Sequence, residues 1–263
     1  MAERIRDSWA EWLLQRRFGG DPDALTDTLS FLEPIRDRVL DSAAVKPGAT
    51  LLDIGTGDGL IAFGALKRVG DAGTVIFSDI SVDLLTHCQD LASQMGVSDR
   101  CRFIHAPAED LSAVENASVD AVTSRSALIY VDDKQRAFRE IYRVLKPGGQ
   151  MSVYEPINRI SLPQSPYEFT GGFNVAPVQE VAAKVQTVFE KAQPSATDSM
   201  TNFDERDLLQ WLEGVGFAQI ELDYEVRIGP VTGMKWDTYR HTAFNPRMPT
   251  LDEAMAEALT HEA

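Results

Sequence analysis

The run Leu51-Leu52-Asp53-Ile54-Gly55-Thr56-Gly57-Asp58-Gly59 constrains the fold more than any other part of this chain. An apolar segment of strand character runs into three alternate glycines, and Leu60 to Val69 then has helical character. Glycines so placed let the backbone reverse sharply and lie against a ligand without Cβ clashes. The pattern that follows alternates as βαβ units do. Strands are expected at Ala49–Ile54, Thr74–Ser78 (ending at Asp79), Arg102–Ile104, Val119–Thr123 and Gln150–Tyr154. Between them, Ser81 is placed to N-cap a helix that Met95-Gly96 closes, and Asp132 with Gln135 resembles a capping box for a helix ending at Leu145. Strands joined by helical crossovers imply an α/β, Rossmann-like, doubly wound and mostly parallel sheet.

The charge around the glycine turn narrows the ligand. A dinucleotide fingerprint, GxGxxG, sets a pyrophosphate on a helix N-terminus. Here the spacing is GxGxG, with Leu60 at the position three after Gly57, and Asp53 and Asp58 flank the turn. Two carboxylates oppose a pyrophosphate and suit a ligand with an ammonium group. S-adenosylmethionine carries an ammonium and a sulfonium. Asp79 follows Gly59 by 20 residues, the place from which a carboxylate accepts from both ribose hydroxyls. That acid serves any adenosine-type ligand, so a nicotinamide dinucleotide stays open on this evidence.

Four elements agree in order and spacing with one superfamily. Leu51 to Gly59, Asp79, His105-Ala106-Pro107-Ala108-Glu109-Asp110-Leu111 and Val144-Leu145-Lys146-Pro147-Gly148-Gly149 resemble class I S-adenosylmethionine-dependent methyltransferases. Within that class the chain is similar to the small-molecule branch containing quinone-biosynthesis C-methyltransferases and arsenite methyltransferases. The resemblance covers residues 45 to 155. It implies that Asp53 sits near the methionine ammonium, that Asp79 holds the ribose, and that Ala108 and Glu109 lie beside the adenine. Gly55, Thr56, Gly57, Gly59, Ile80 and Ser124 complete the expected cofactor contacts. Many members have an acid where this chain has Pro107, which leaves the adenine contact to the Ala108 backbone or to Glu109. The lysine-proline-glycine-glycine run is in family terms a structural turn. Arsenic(III) needs several thiols, and Cys88 and Cys101 are the only cysteines, which argues against arsenic as acceptor.

Methyl transfer from a sulfonium is an in-line displacement that depends on alignment, with a base needed only if the acceptor must lose a proton. Ligands of doubly wound sheets sit at the carboxyl ends of the strands. That makes Arg125, after the fourth strand, a candidate to steer an acidic oxygen, and Glu155, after the fifth, a candidate base or anchor. His241, among Tyr239, Phe244 and Pro246, is the one histidine of interest as an acid–base group; His87 and His105 are placed on the outer face and the adenine side. Tyr130, Tyr167, Phe169 and Phe173 are expected to line an aromatic acceptor pocket.

Outside the core, Ile5, Trp9, Trp12 and Leu13 fall on one face of a helix stopped by Gly19-Gly20. Pro34 marks a restart or kink in a second helix over 22 to 45. The expected organisation is a helical cover (1–45), a core (46–155), a lid containing some helix (156–200), and a C-terminal part (201–263) with a strand at Ala218–Ile228 and a last helix at Thr250–His261. These additions anticipate a seven-stranded type of sheet. Composition adds exclusions. Forty acidic against 25 basic residues give a formal charge of −15, which opposes a nucleic-acid partner. No CxxC pair or ligand spacing suggests structural zinc or disulfides, and neither a signal peptide nor a membrane-spanning run is apparent. The expectation is a cytoplasmic enzyme of small-molecule metabolism, a monomer or homodimer without metal, transferring a methyl group to a small, hydrophobic or aromatic acceptor and releasing S-adenosylhomocysteine. The alternatives are a nicotinamide-dependent oxidoreductase and a cofactor-binding protein without transfer activity.

Overall fold

The computed structural model describes residues 7–161, 168–169, 173–226 and 235–260. Five parallel strands, β1 (Thr50–Ile54), β2 (Thr74–Asp79), β3 (Cys101–His105), β4 (Val119–Arg125) and β5 (Leu145–Tyr154), form one sheet in the order β3-β2-β1-β4-β5. The strand order reverses beside β1, so the carboxyl ends of β1 and β4 diverge into a crevice. Helices α3 (Leu60–Val69), α4 (Val82–Gln94) and α5 (Lys134–Val144) are the crossovers. Strands buried on both faces read as continuous apolar runs, as in Val75, Ile76 and Phe77, each at most 1% exposed.

The chain divides into two compact units. The first comprises Leu29–Pro156, Arg206–Leu222 and the described N-terminal residues through Ala10. Its core packs the C-terminal part of α2 (Pro22–Ser42) and α3 against the sheet, through Leu32, Ile35, Val39 and Leu40 of α2, Ile61 and Leu66 of α3, and Leu51 and Phe77. Pro34 lies inside one unbroken α2, so of the expected restart or kink the restart does not occur. A proline inside a helix costs about 3 kcal/mol. Buried leucines, isoleucines and valines contribute about 1.5–3 kcal/mol each, and four flank this one.

At the amino ends of β1, β4 and β5, Asp120 accepts the Thr50 N–H at 2.8 Å and the Lys146 ammonium at 2.8 and 2.9 Å. The β4–β5 register slips between Val119 and Ala121. The expected turn at 146–149 is instead the first part of β5, where a Cβ at Gly149 would stand 2.9 Å from Lys146 O and 3.1 Å from Asp120 O, so the glycine permits close packing.

The second unit comprises Glu11–Thr28, Ile157–Glu205 and the described residues beyond Asp223. It contains the hairpin of β6 (Glu168–Phe169) and β7 (Phe173–Asn174), and helices α6 (Gln179–Ala192), α8 (Trp236–His241) and α9 (Leu251–Thr260). Val185, Tyr239, Leu251 and Ala254 form its core. Buried Asp198 is held there by Arg247 at 3.0 Å, Gln193 Nε2 at 3.0 Å and the Met200 N–H at 2.9 Å. Helix α7 (Glu205–Val215), which from Arg206 onward belongs to the first unit, packs Trp211 on Phe138 within that unit.

Four sequence expectations need correction. The N-cap of α5 is Asp133, which accepts from the Arg136 N–H at 2.8 Å; two adjacent acids made the register ambiguous by one residue. The N-terminal helix is one α turn, α1 (Ser8–Glu11), followed by a π turn at Trp12–Arg16. A π turn breaks the 3.6-residue period, and Trp9 and Trp12 find different partners: Trp9 packs on Tyr130, and Trp12 Nε1–H donates to Ala243 O at 2.7 Å. Ile5 lies outside the described residues. Residues 218–226 form no strand, and the described residues hold five strands in the sheet rather than seven. Alternation reports one apolar face, but a strand also needs a neighbouring ladder, and Leu222, Tyr224 and Val226 stay exposed.

Candidate functional site

The glycine turn is tied to the end of β2. Gly55 and Thr56 donate their N–H groups to Ser78 O at 2.8 and 3.0 Å, and Gly57 donates to Asp79 Oδ2 at 2.9 Å. Gly55 has φ +65°, and a Cβ there would stand 2.2 Å from the Ala127 Cβ. The loop after β4 therefore lies directly on the turn. Gly59, at φ +89°, opens α3, and its missing Cβ makes room for the Phe63 ring.

Two carboxylates face this turn. Asp53 is 1% exposed and accepts from the Thr123 hydroxyl at 2.8 Å. Burial pushes its pKa up to about 7, against the opposing pull of the Thr123 and Thr56 hydroxyls and the Arg125 charge. Thr56 Oγ1 is itself buried without a hydrogen bond of good geometry. Asp79 ends β2 and accepts from the Ser81 N–H through Oδ1 at 2.8 Å. Burial holds its pKa above the ordinary carboxylate value even though three backbone N–H groups, of Gly57, Ser81 and Ile80, pull it down. Buried acids with raised pKa values, at strand ends beside a crevice, mark a place where a cation would be favoured.

The remaining cofactor candidates fall on the same edge. Ile80 follows Asp79, with its side chain exposed and its carbonyl 3.0 Å from His105 Nε2. Ser124 is fully buried and donates to Ile54 O at 3.0 Å, so its side chain ties β4 to β1. Ala108 is buried and Glu109 half-buried in the loop after β3, where Ala106 N–H donates to Asp79 O at 3.1 Å. Asp58 closes the α3 entry through a 3.3 Å contact from the Leu60 N–H.

The candidate catalytic residues separate. Arg125 ends β4 and donates to Ser126 Oγ at 3.4 Å, with Asp53 and Glu155 near enough for its charge to lower both. Glu155 accepts three backbone N–H groups, from Ala127, Leu128 and Ile129 at 3.1–3.2 Å. It caps the 3-10 turn Leu128–Tyr130, and burial pushes its pKa up to about 7. His241 belongs to the second unit, where Nδ1 meets Asp237 O at 2.8 Å and Nε2 lies 3.3 Å from Asp252. Among the pocket candidates, Tyr130 stands in the first unit, edge-on to Trp9 with 4.8 Å between rings. Phe173 packs in the second unit on Trp236 and Tyr239. Phe169 pairs with Phe173 across the β6–β7 hairpin, and Tyr167 lies outside the described residues.

Asp7 is the site residue that sequence reasoning missed. Its carboxylate caps α1 through the Trp9 and Ala10 N–H groups, and accepts from Ser81 Oγ at 2.8 Å, while its own N–H donates to Asp83 at 2.7 Å. It fastens the N-terminal segment beside Asp79. The spacing of an Asp before a short helix was the available signal. Among the described residues, no three His, Cys, Asp or Glu side chains gather as a metal site, and no helix is long and apolar enough to cross a membrane.

This sheet order, with a glycine turn between two buried strand-end carboxylates, defines a Rossmann-like methyltransferase fold. The YcgJ protein of Bacillus subtilis superposes with a TM-score of 0.56 at 20% identity, over 87% of this chain and 84% of that one. A geranyl diphosphate methyltransferase solved with S-adenosylmethionine gives 0.53 at 20% identity, over 75% and 72%. The model of the ubiE/COQ5 methyltransferase family matches residues 20–236, and the chain belongs to that family. Among curated proteins, it is 29% identical over 215 residues to the ubiquinone/menaquinone biosynthesis C-methyltransferase UbiE of Idiomarina loihiensis, covering 81% of this chain and 83% of that one. The protein of the same name from Escherichia coli O1:K1 / APEC is 30% identical over 211 residues, covering 80% and 82%. The chain is a methyltransferase, as the glycine turn and its acids led us to expect.

Proposed function

We propose that this methyltransferase uses S-adenosylmethionine and places the methyl group on a ring carbon of a small phenol- or hydroquinone-type acceptor. The pair of buried carboxylates, Asp53 and Asp79, on either side of the glycine turn carries this reading. Asp53 holds the ammonium of the amino-acid end, where a positive charge relieves an acid that burial leaves near neutrality. Asp79 accepts from the Gly57 and Ser81 amides and is drawn down by that of Ile80, which leaves at least one lone pair for a ribose hydroxyl. Thr56, with its buried hydroxyl, is a further polar contact. Ala108 and Glu109 flank the base.

The cofactor, when bound, supplies a methyl carbon on a positively charged sulfur, which needs alignment rather than activation. Arg125 orients the acceptor. Its guanidinium at the end of β4 favours the oxyanion form of a phenol, whose charge enriches the ring carbon that accepts the methyl group, and the hydrogen on that carbon is then lost as a proton to water. Glu155 serves by fixing the 127–129 backbone beneath the acceptor, and Tyr130 with Trp9 supplies an aromatic wall. The quinone-related names of the curated relatives and the family match favour an aromatic acceptor.

The test incubates the purified protein with S-adenosylmethionine and substituted hydroquinones, then locates the methyl group by mass spectrometry. Ring-carbon methylation is expected, with Arg125→Met lowering kcat. Methylation on oxygen would overturn the acceptor assignment. Calorimetry showing NADH bound and S-adenosylhomocysteine ignored would overturn the cofactor.

A further inference from the structure

The loop joining β3 to β4 is held from outside by two residues of α5. Glu140 and Arg143 sit one turn apart and form a forked ion pair, with Arg143 Nε on Glu140 Oε1 at 2.8 Å and Nη2 on Oε2 at 2.7 Å. Both then reach the same loop residue: Glu140 Oε2 accepts the Leu111 N–H at 2.9 Å, and Arg143 Nη2 donates to Leu111 O at 2.8 Å. Arg143 Nη1 adds Val114 O at 3.0 Å and Asn116 Oδ1 at 2.5 Å.

The other end of the loop is fixed by the ribose-side acid, because the Ala106 N–H donates to Asp79 O at 3.1 Å. Ala108 to Asp110 are thus strung between two fixed points. Their donors are few. Pro107 has no N–H, and the Asp110 N–H turns back to Pro107 O at 3.1 Å, which leaves the Ala108 and Glu109 amides to meet a base. Adenine offers an acceptor at N1 and a donor at its 6-amino group, whereas hypoxanthine reverses both. Reading that difference requires an amide held in place to a few tenths of an ångström.

We propose that the Glu140–Arg143 pair is a positioning device that sets the base preference of the site, acting through Leu111 on the Ala108–Glu109 edge without touching the nucleoside. It rests on the cofactor reading above. The pair itself is only a quarter exposed, at 21% and 28%, and its charge-assisted bonds go to backbone carbonyls and an amide, so its work is geometric.

The experiment measures dissociation constants of S-adenosylhomocysteine and S-inosylhomocysteine by calorimetry, for the whole chain and for Arg143→Met. The wild type is expected to prefer the adenine compound, and Arg143→Met to lose about tenfold of that preference, the worth of roughly one hydrogen bond to the base edge. Equal weakening of both compounds, or an unchanged ratio, would show a merely structural pair and overturn the inference. If Arg143→Met does not fold, Glu140→Gln, which keeps the shape and weakens the fork, must show the smaller preference. Tight binding of both compounds without preference in the wild type sinks the inference alone, whereas binding of neither sinks the cofactor reading as well.

Discussion

The raised pKa of Asp53 makes ligand binding depend on acidity in a definite direction. In the free protein burial holds this carboxyl near 7, so at about pH 5.5 only about 3% is ionised, against about 90% at pH 8. An ammonium group beside it requires the carboxylate. The dissociation constant for S-adenosylhomocysteine should therefore be about thirtyfold weaker at the lower pH, or about 2 kcal/mol. Binding near neutrality should also release about half a proton, measurable as a buffer-dependent heat in calorimetry. The stability of the unliganded protein follows the same logic. The folded state binds this proton more tightly than the unfolded chain, so the contribution favours folding at low pH and is lost as pH rises from about 4 through 7. Asp53→Asn should remove that part of the pH dependence, leaving the slopes from Glu155, which burial pushes up to about 7, and from Asp79, which burial shifts in the same direction. Glu155→Gln should remove a comparable part of the stability slope, because burial pushes that carboxyl up to about 7 as well, yet leave the pH dependence of binding intact, because Glu155 faces backbone amides. Affinity that is level between pH 5.5 and 8, or a slope undiminished in Asp53→Asn, would refute the reasoning.

Three further outcomes follow from the same geometry. Thr123→Val deletes the hydroxyl that donates to Asp53 and should raise the midpoint of the binding profile by about one pH unit, read from the same titrations. Asp79→Ala should weaken S-adenosylhomocysteine by at least about tenfold, since each charge-assisted hydrogen bond is worth about 1.5–3 kcal/mol; an unchanged constant would exclude the ribose role. Gly55→Ala combines a left-handed backbone with a 2.2 Å approach to Ala127, and urea unfolding should show about 2–4 kcal/mol lost.

What the sequence disclosed and what it withheld divide along physical lines. Asp53, Asp79 and the glycine turn were legible because strand, turn and spacing are local, and Ser81 capped α4 as read, accepting from the Leu84 N–H at 3.0 Å. Asp133 rather than Asp132 capped α5, since a cap is decided by a dihedral that composition does not fix. The missing restart at Pro34 and the missing strand at 218–226 have opposite reasons. Tertiary burial sustained a helix that local chemistry disfavours, whereas the alternating segment forms no ladder among the described residues. Glu155 illustrates the limit for site residues. Its position was visible, but its three amide partners lie 26 to 28 residues away and only the fold brings them to it.

The Asp120–Lys146 anchorage gathers three strands at the amino end of the sheet, opposite the crevice at the strands' carboxyl ends. The anchorage of the strands and the proposed chemistry thus lie at separate ends of the sheet. On the proposed site, variants around residues 50, 120 and 146 should shift heat tolerance with little effect on turnover, and changes of acceptor should come from residues at the opposite end of the strands.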